Sequence, residues 1–257
     1  MRASKTVAKA PDETTPEYGE QLGRFEPAGL EAAMPRGKSS RSMAQKAYNE
    51  IKALILSNEL QGGAHILEEE LASMLGMSRT PLREALVQLQ NEGHIQIVPR
   101  RGIRVVPLTI NDLKEIYDIL QALEAHAAES ISQRADRKEI TAHLSDIVDE
   151  MRAALAADDL DRWAKANERF HRDLVMYAGN GRLEQFCRTL LDQSHRVRVF
   201  TLRLRKPPIR STENHAELVK AMRDGNADLA HAIHVAHKNE WLAEMQDIIE
   251  RLKITRL

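Results

Sequence analysis

The sequence predicts a mainly α protein in two parts: an N-terminal winged helix-turn-helix and a C-terminal antiparallel all-α bundle of six or seven helices. Two observations carry this. Between residues 42 and 107, two helices, a turn at Gly76-Met77-Ser78, a third amphipathic helix and two short strands follow one another. From Asn111 onward almost everything is compatible with helix, with breaks at Asp158–Asp159, Gly179–Gly181, Pro207–Pro208 and Gly225–Asn226.

The first 41 residues read differently. They combine Pro11, Pro16, Pro27 and Pro35 with Gly19, Gly23, Gly29 and Gly37 and show little apolar periodicity, so ordering them would cost entropy with little burial to offset it. Residues 1–41 are therefore expected to be a disordered extension, and they lack the apolar core of a secretory signal. No apolar run approaches the ~20 residues that a membrane span needs. The single cysteine, Cys187, excludes an internal disulfide and suits a reducing, cytoplasmic compartment.

From Ser42, Tyr48, Ile51, Leu54 and Ile55 share one helical face, and Gly62-Gly63 ends the helix. A second helix over about Glu68–Leu75 is expected to bury Leu71, Met74 and Leu75, with Gly76 closing it. The third starts near Ser78, where Ser78 or Thr80 can cap and Pro81 lacks an N–H that the first turn does not use. Leu82, Ala85, Leu86 and Leu89 then form its core stripe. After Gly93, strands over His94–Val98 and Ile103–Val106 enclose the turn Pro99-Arg100-Arg101-Gly102. Residues 42–107 thus form one domain and 108–257 another.

Net charge is −1, so the distribution of charge matters more than its sum. Residues 79–104 hold five arginines against Glu84 and Glu92. In a helix-turn-helix the third helix enters the major groove of double-stranded DNA, and Arg79 and Arg83 lie one turn apart on its exposed face. An arginine fork can grip guanine O6 and N7. Ser78 and Thr80 are placed for phosphate oxygens, and Arg100, Arg101 and Gly102 form a basic wing tip.

The stretch from Leu71 to Leu86, continued by Asn91-Glu-Gly-His-Ile and Pro99-Arg-Arg-Gly-Ile-Arg-Val, closely resembles the DNA-binding domain of GntR-family regulators. The resemblance implies a bacterial homodimer on a short pseudo-palindromic operator, contacting DNA through Arg79, Thr80, Arg83 and the wing. Two positions depart from the family pattern: Glu69 stands where many relatives have a DNA-contacting arginine, and Leu67 where they have a polar cap.

Residues from about 112 to 238 resemble the FadR-type effector domain, called FCD. The matching pieces are Asp118–Glu124, Asn167-Glu-Arg-Phe-His171 with Gly179-Asn180, Glu213-Asn-His215, and His237. Independently of that likeness, Asn167 and His171 are i, i+4 on one helix face, and antiparallel helices can bring His215 and His237 to them. Three imidazoles and an oxygen suit zinc or nickel with positions open for a ligand carboxylate. Chance clustering is the alternative in a chain of ten histidines. The family usually has aspartate at Asn167 and an arginine at Leu120.

A replacement cation is sought on the fourth bundle helix, where Cys187, Leu191, His195, Arg198 and Leu202 share a face. Arg198 with His195 is expected to hold a small carboxylate effector. The competing reading is a solvated face, since residues 196–210 hold six basic residues and no acid. The resulting expectation is a DNA-binding regulator, a repressor, controlled by an organic or sugar acid. A metal-dependent hydrolase or lyase is the alternative, but no His-Glu-x-x-His motif, nucleophile elbow or phosphate-binding glycine loop supports it. A dimeric scaffold would leave the arginine-bearing turn and wing unexplained.

Overall fold

The computed structural model describes residues 38–253. The expectation for residues 1–41 lies outside these, except at 38–41, where the first helix already runs. Helix α1 (Lys38–Leu56) buries Ala47, Tyr48, Ile51 and Ile55 against the third helix of the domain. Asn58 adopts a left-handed backbone (φ 61°) just beyond it.

Helix α2 (Glu68–Met74) has no polar cap at Leu67; the Glu70 carboxylate instead accepts the Leu67 backbone N–H at 3.1 Å. Leu71 and Ala72 are its buried residues, whereas Met74 is 56% exposed, contrary to the expected stripe. With only seven residues, the helix presents a narrow face, and Met77 in the turn fills the adjacent core position. Helix α3 (Arg79–Asn91) buries Pro81, Leu82, Ala85, Leu86 and Leu89 as its periodicity predicts.

The wing has a third strand that periodicity could not reveal, because it is two residues long. Strand β1 (His65–Ile66) pairs antiparallel with β3 (Gly102–Val105), which pairs antiparallel with β2 (Ile95–Val98), giving the order β1-β3-β2. Ile95, Ile103 and Val105 point from this sheet into the core made by α1, α2 and α3.

The second part is an antiparallel bundle of α4 (Ile110–Gln133), α5 (Arg137–Ala156), α6 (Leu160–Tyr177), α7 (Gly181–Thr201), α8 (Ile209–Arg223) and α9 (Ala227–Leu252). Polar caps define several starts. Thr109 and Asp112 form a reciprocal capping box on α4, and Asp159, Asn180 and Asn226 cap α6, α7 and α9. A 3-10 turn over Leu202–Leu204 ends α7 several residues ahead of the break expected at Pro207–Pro208.

Helix α4 packs on α9 and α7, α5 on α6 and α8, and α8 on α9 around Leu120, Trp163 and Phe170. Leu120 is wholly buried. The described residues of both parts belong to one compact unit. None of their helices is long and apolar enough to cross a membrane.

Candidate functional site

Two surfaces carry chemistry. On the first, α3 projects Arg79, Thr80 and Arg83 into solvent, with Ser78 exposed at the N-cap position. Ser78 makes no side-chain cap hydrogen bond, which leaves its hydroxyl and the first amides of α3 available to a phosphate. Glu69 reaches Arg79 at 3.1 Å, and Glu68 accepts from Arg83 Nε at 2.7 Å. These pairs are largely exposed, so each contributes at most about 1 kcal/mol. They hold the arginine forks in place without burying them.

At the wing tip Arg100 (φ 63°) and Gly102 (φ 80°) are left-handed. A Cβ on Gly102 would lie 2.2 Å from the Ile66 carbonyl oxygen, so glycine is what lets β1 close onto the wing. Arg100 and Arg101 are exposed at that tip.

The second site lies inside the bundle. His171 from α6, His215 from α8 and His237 from α9 are buried, and one ring nitrogen of each lies within 4.8 Å of the others. His215 stacks on Phe170 with centroids 4.3 Å apart, which fixes its ring plane. His171 Nδ1 lies 2.7 Å from the Glu124 carboxylate, a carboxylate–imidazole arrangement common behind metal ligands. Burial, then the Lys238 ammonium, pushes His171 down to about 3; burial also holds His215 and His237 well below the ordinary imidazole value. These shifts favour the neutral rings, the form in which an imidazole can ligate a metal, although the lone pair of His215 Nε2 is met by the Asn167 amide.

Asn167 reaches this cluster but has another employment. Its amide satisfies both neighbours when its oxygen accepts from Arg198 Nη1 (2.8 Å) and Nε (3.2 Å) and its nitrogen faces His215 Nε2 at 3.0 Å. With the oxygen gripped by a guanidinium, Asn167 links Arg198 to His215 rather than completing a ligand set. The donors that fit a divalent ion are the three imidazoles.

Arg198 and His195 do not share a site. Arg198 is buried and turns inward, its Nη2 lying 3.2 Å from Ser194 Oγ and 3.5 Å from the Tyr117 hydroxyl. His195 turns toward Glu168, 3.4 Å away, and lines a cavity of about 740 Å³ beside Ala53 and Asn58 of the DNA-binding part. Three residues advance a helix by roughly 300°, so the shared face is broad enough to split between two environments.

Sequence reasoning missed the charges that surround the triad. Glu124, fully buried, meets His234 at 3.1 Å and the Lys238 ammonium at 3.0 Å. Burial alone would raise the Glu124 carboxyl, but Lys238 and His171 outweigh it and hold it well below its usual range. The signal was in the pattern: Lys238 shares the α9 stripe of His234, Trp241 and Met245, and Glu124 the α4 stripe of Tyr117 and Leu120. A charge on a core stripe marks a buried polar site.

An arginine-bearing turn and basic wing in front of a helical bundle with a buried polar centre define the class of DNA-binding transcription regulators. Residues 43–105 match the model of bacterial regulatory proteins of the gntR family, and residues 115–240 match that of the FCD domain. An HTH-type transcriptional regulator in the TAR-I ttuE-ttuC' intergenic region of Agrobacterium vitis is 40% identical over 142 residues, 54% of this chain and 83% of that protein. The gluconate operon transcriptional repressor of Bacillus licheniformis is 27% identical over 74% of this chain and 80% of its own.

Among solved structures, E. coli McbR/YncC shares the fold with a TM-score of 0.70 at 20% identity, over 80% of this chain and 97% of its own. The chain belongs to the GntR family of transcription regulators, with an FCD domain behind its winged helix-turn-helix. It is a DNA-binding regulator and not an enzyme.

Proposed function

We propose that the protein is a repressor that acts as a homodimer on operator DNA in the bacterial cytoplasm, and that a small organic or sugar acid bound in the bundle controls its affinity. The observation that carries this is the buried Arg198 guanidinium, held by Asn167, Ser194 and Tyr117 close to three buried imidazoles. It puts a fixed positive charge beside candidate metal ligands, a combination that suits a carboxylate. Likeness to gluconate operon repressors supports repression as the sign.

The imidazole triad fits zinc or nickel, which when bound supplies a Lewis-acidic attachment point for the acid's carboxylate. Arg198 orients that carboxylate, and Glu124 fixes the His171 ring. The neutral Asn167 amide adds no negative charge to the metal, leaving room for the effector's own.

Helix α7 links this site to the DNA-binding part. Ser194 and Arg198 face the bundle interior, while Asp192 and Arg196 of the same helix hold the other domain. An acid that binds one dimer arrangement better shifts the spacing of the recognition helices.

Anisotropy of a labelled fragment of the protein's own promoter tests the proposal, with organic and sugar acids added in zinc, in nickel and in chelator. Release by one class of acid, weakened by chelator and by Arg198→Met, is expected. Promoter affinity indifferent to every acid overturns the effector reading; release unaffected by chelator removes the metal from it.

A further inference from the structure

Beside the triad a cleft of about 620 Å³ opens, lined by Arg205, Asn214, His237 and Trp241. Glu213, Glu240 and Glu244 also line it, their charges offset by Lys206, Arg210 and the Arg205–Glu244 pair. The Arg205 side chain is 3% exposed. Its Nη1 pairs with Glu244 at 2.9 Å, and its guanidinium lies 5.9 Å from the centre of the Trp163 ring. Its Nε and Nη2 meet no hydrogen-bond partner among the described residues, and neither does Nε1 of the buried Trp241.

Each such N–H costs roughly 1–3 kcal/mol of desolvation when left unmet. All three are donors, and the first turn of α8, with no side-chain cap at Pro208, opens into the same cleft. A group that satisfies donors alone is an oxyanion.

Two residues relate the cleft to the interior site. His237 lines it and belongs to the triad. Trp241 stacks on Tyr117 at 4.1 Å, and the Tyr117 hydroxyl faces Arg198. The positive charge of Arg198 bears on Arg205, whose value burial first of all depresses.

We propose that the cleft binds the second acidic group of a two-headed organic acid, with Arg205 and Trp241 donating to it while the first group sits at Arg198 and the imidazoles. The effector is then a dicarboxylate. This rests on the effector reading above and adds a subsite to it. Arg205, rather than His195, is the second cation of the pocket.

Calorimetric titration of the full chain with a series of α,ω-dicarboxylates, each beside the monocarboxylate of equal length, tests it. Trp241→Phe keeps the stack on Tyr117 and removes one donor; Arg205→Met keeps the packing volume and removes two. At least one dicarboxylate is expected to bind wild type about tenfold or more tightly than its partner, since a hydrogen bond to a charged group is worth ~1.5–3 kcal/mol. Both variants are expected to lose that preference and retain monocarboxylate affinity. Equal binding of both series to wild type overturns the second subsite and leaves the effector reading standing; so does a preference unchanged in Arg205→Met. Failure of every dicarboxylate to bind also overturns it.

Discussion

The Lys52 ammonium of α1 lies 2.6 Å from the Asp192 carboxylate of α7 and joins the two parts of the protein. Asp192 also meets Arg172 and lies 3.5 Å from His94, while Lys52 reaches Glu92 at 3.0 Å. Burial alone would raise the Asp192 carboxyl, yet His94, Arg172 and Lys52 hold it far below the usual range. Lys52→Met leaves a buried carboxylate short of a partner and is expected to destabilise the chain by about 3 kcal/mol. The double variant with Asp192→Leu recovers part of that loss. Urea unfolding of the two singles and the double checks it; additive losses refute an energetic link.

At the DNA surface, Glu69 sets the reach of Arg79. Glu69→Gln frees that guanidinium and removes a charge that repels phosphate, so affinity for any duplex rises while discrimination between operator and random DNA falls. Arg83→Ala is expected to lower operator affinity by ~1–3 kcal/mol and to lower discrimination with it, as the loss of a guanine-reading fork requires. Titrations on operator and scrambled duplexes at two salt concentrations separate the outcomes. An Arg83→Ala protein that discriminates as well as wild type removes Arg83 from base readout.

The wing depends on one missing side chain. Gly102→Ala places a methyl 2.2 Å from the Ile66 carbonyl at φ 80° and must push β1 away from β3. A loss of at least ~1–3 kcal/mol is expected from the backbone strain alone. Amide exchange at Ile66 and Ile103 reports the opening, and an unchanged exchange rate contradicts it.

Stability is expected to fall on mild acidification. Burial pushes His195 down to about 4, against the pull of Glu168, and His171 down to about 3. Their unfolded values are near 6.5. The unfolded chain therefore takes up protons that the native state refuses, and stability present above pH 6.5 is lost as pH falls toward 4. Each such histidine contributes up to about 1.4 kcal/mol per pH unit. His195→Gln flattens the slope in that window; denaturant midpoints that fall equally steeply with pH in the variant disprove its share.

Local chemistry was legible. The helix breaks at Asp158–Asp159 and Gly225–Asn226, the α3 stripe and the convergence of His171, His215 and His237 follow from periodicity, breakers and spacing. What was hidden depends on distance in three dimensions. Lys52 and Asp192 stand 140 positions apart, β1 exists because β3 pairs with it, and the partners of His195 and Arg198 depend on where α6 and α4 cross α7. Asn167 was legible as a member of the cluster and not as a partner of Arg198, since an amide signals neither of its two faces in sequence.

Asn58 and Arg196 lock each other in both directions: the amide donates to the Arg196 carbonyl at 3.0 Å, the guanidinium faces the Asn58 oxygen at 3.3 Å, and it also donates to the Val106 carbonyl at 2.7 Å. The seam between the halves is therefore lettered on both sides. A hybrid that grafts a foreign operator-reading half onto this bundle keeps the seam only when it carries counterparts of Lys52 and Asn58. Cutting at Pro107, where the chain invites a splice, severs the sequence cleanly and leaves those contacts to be rebuilt across the join.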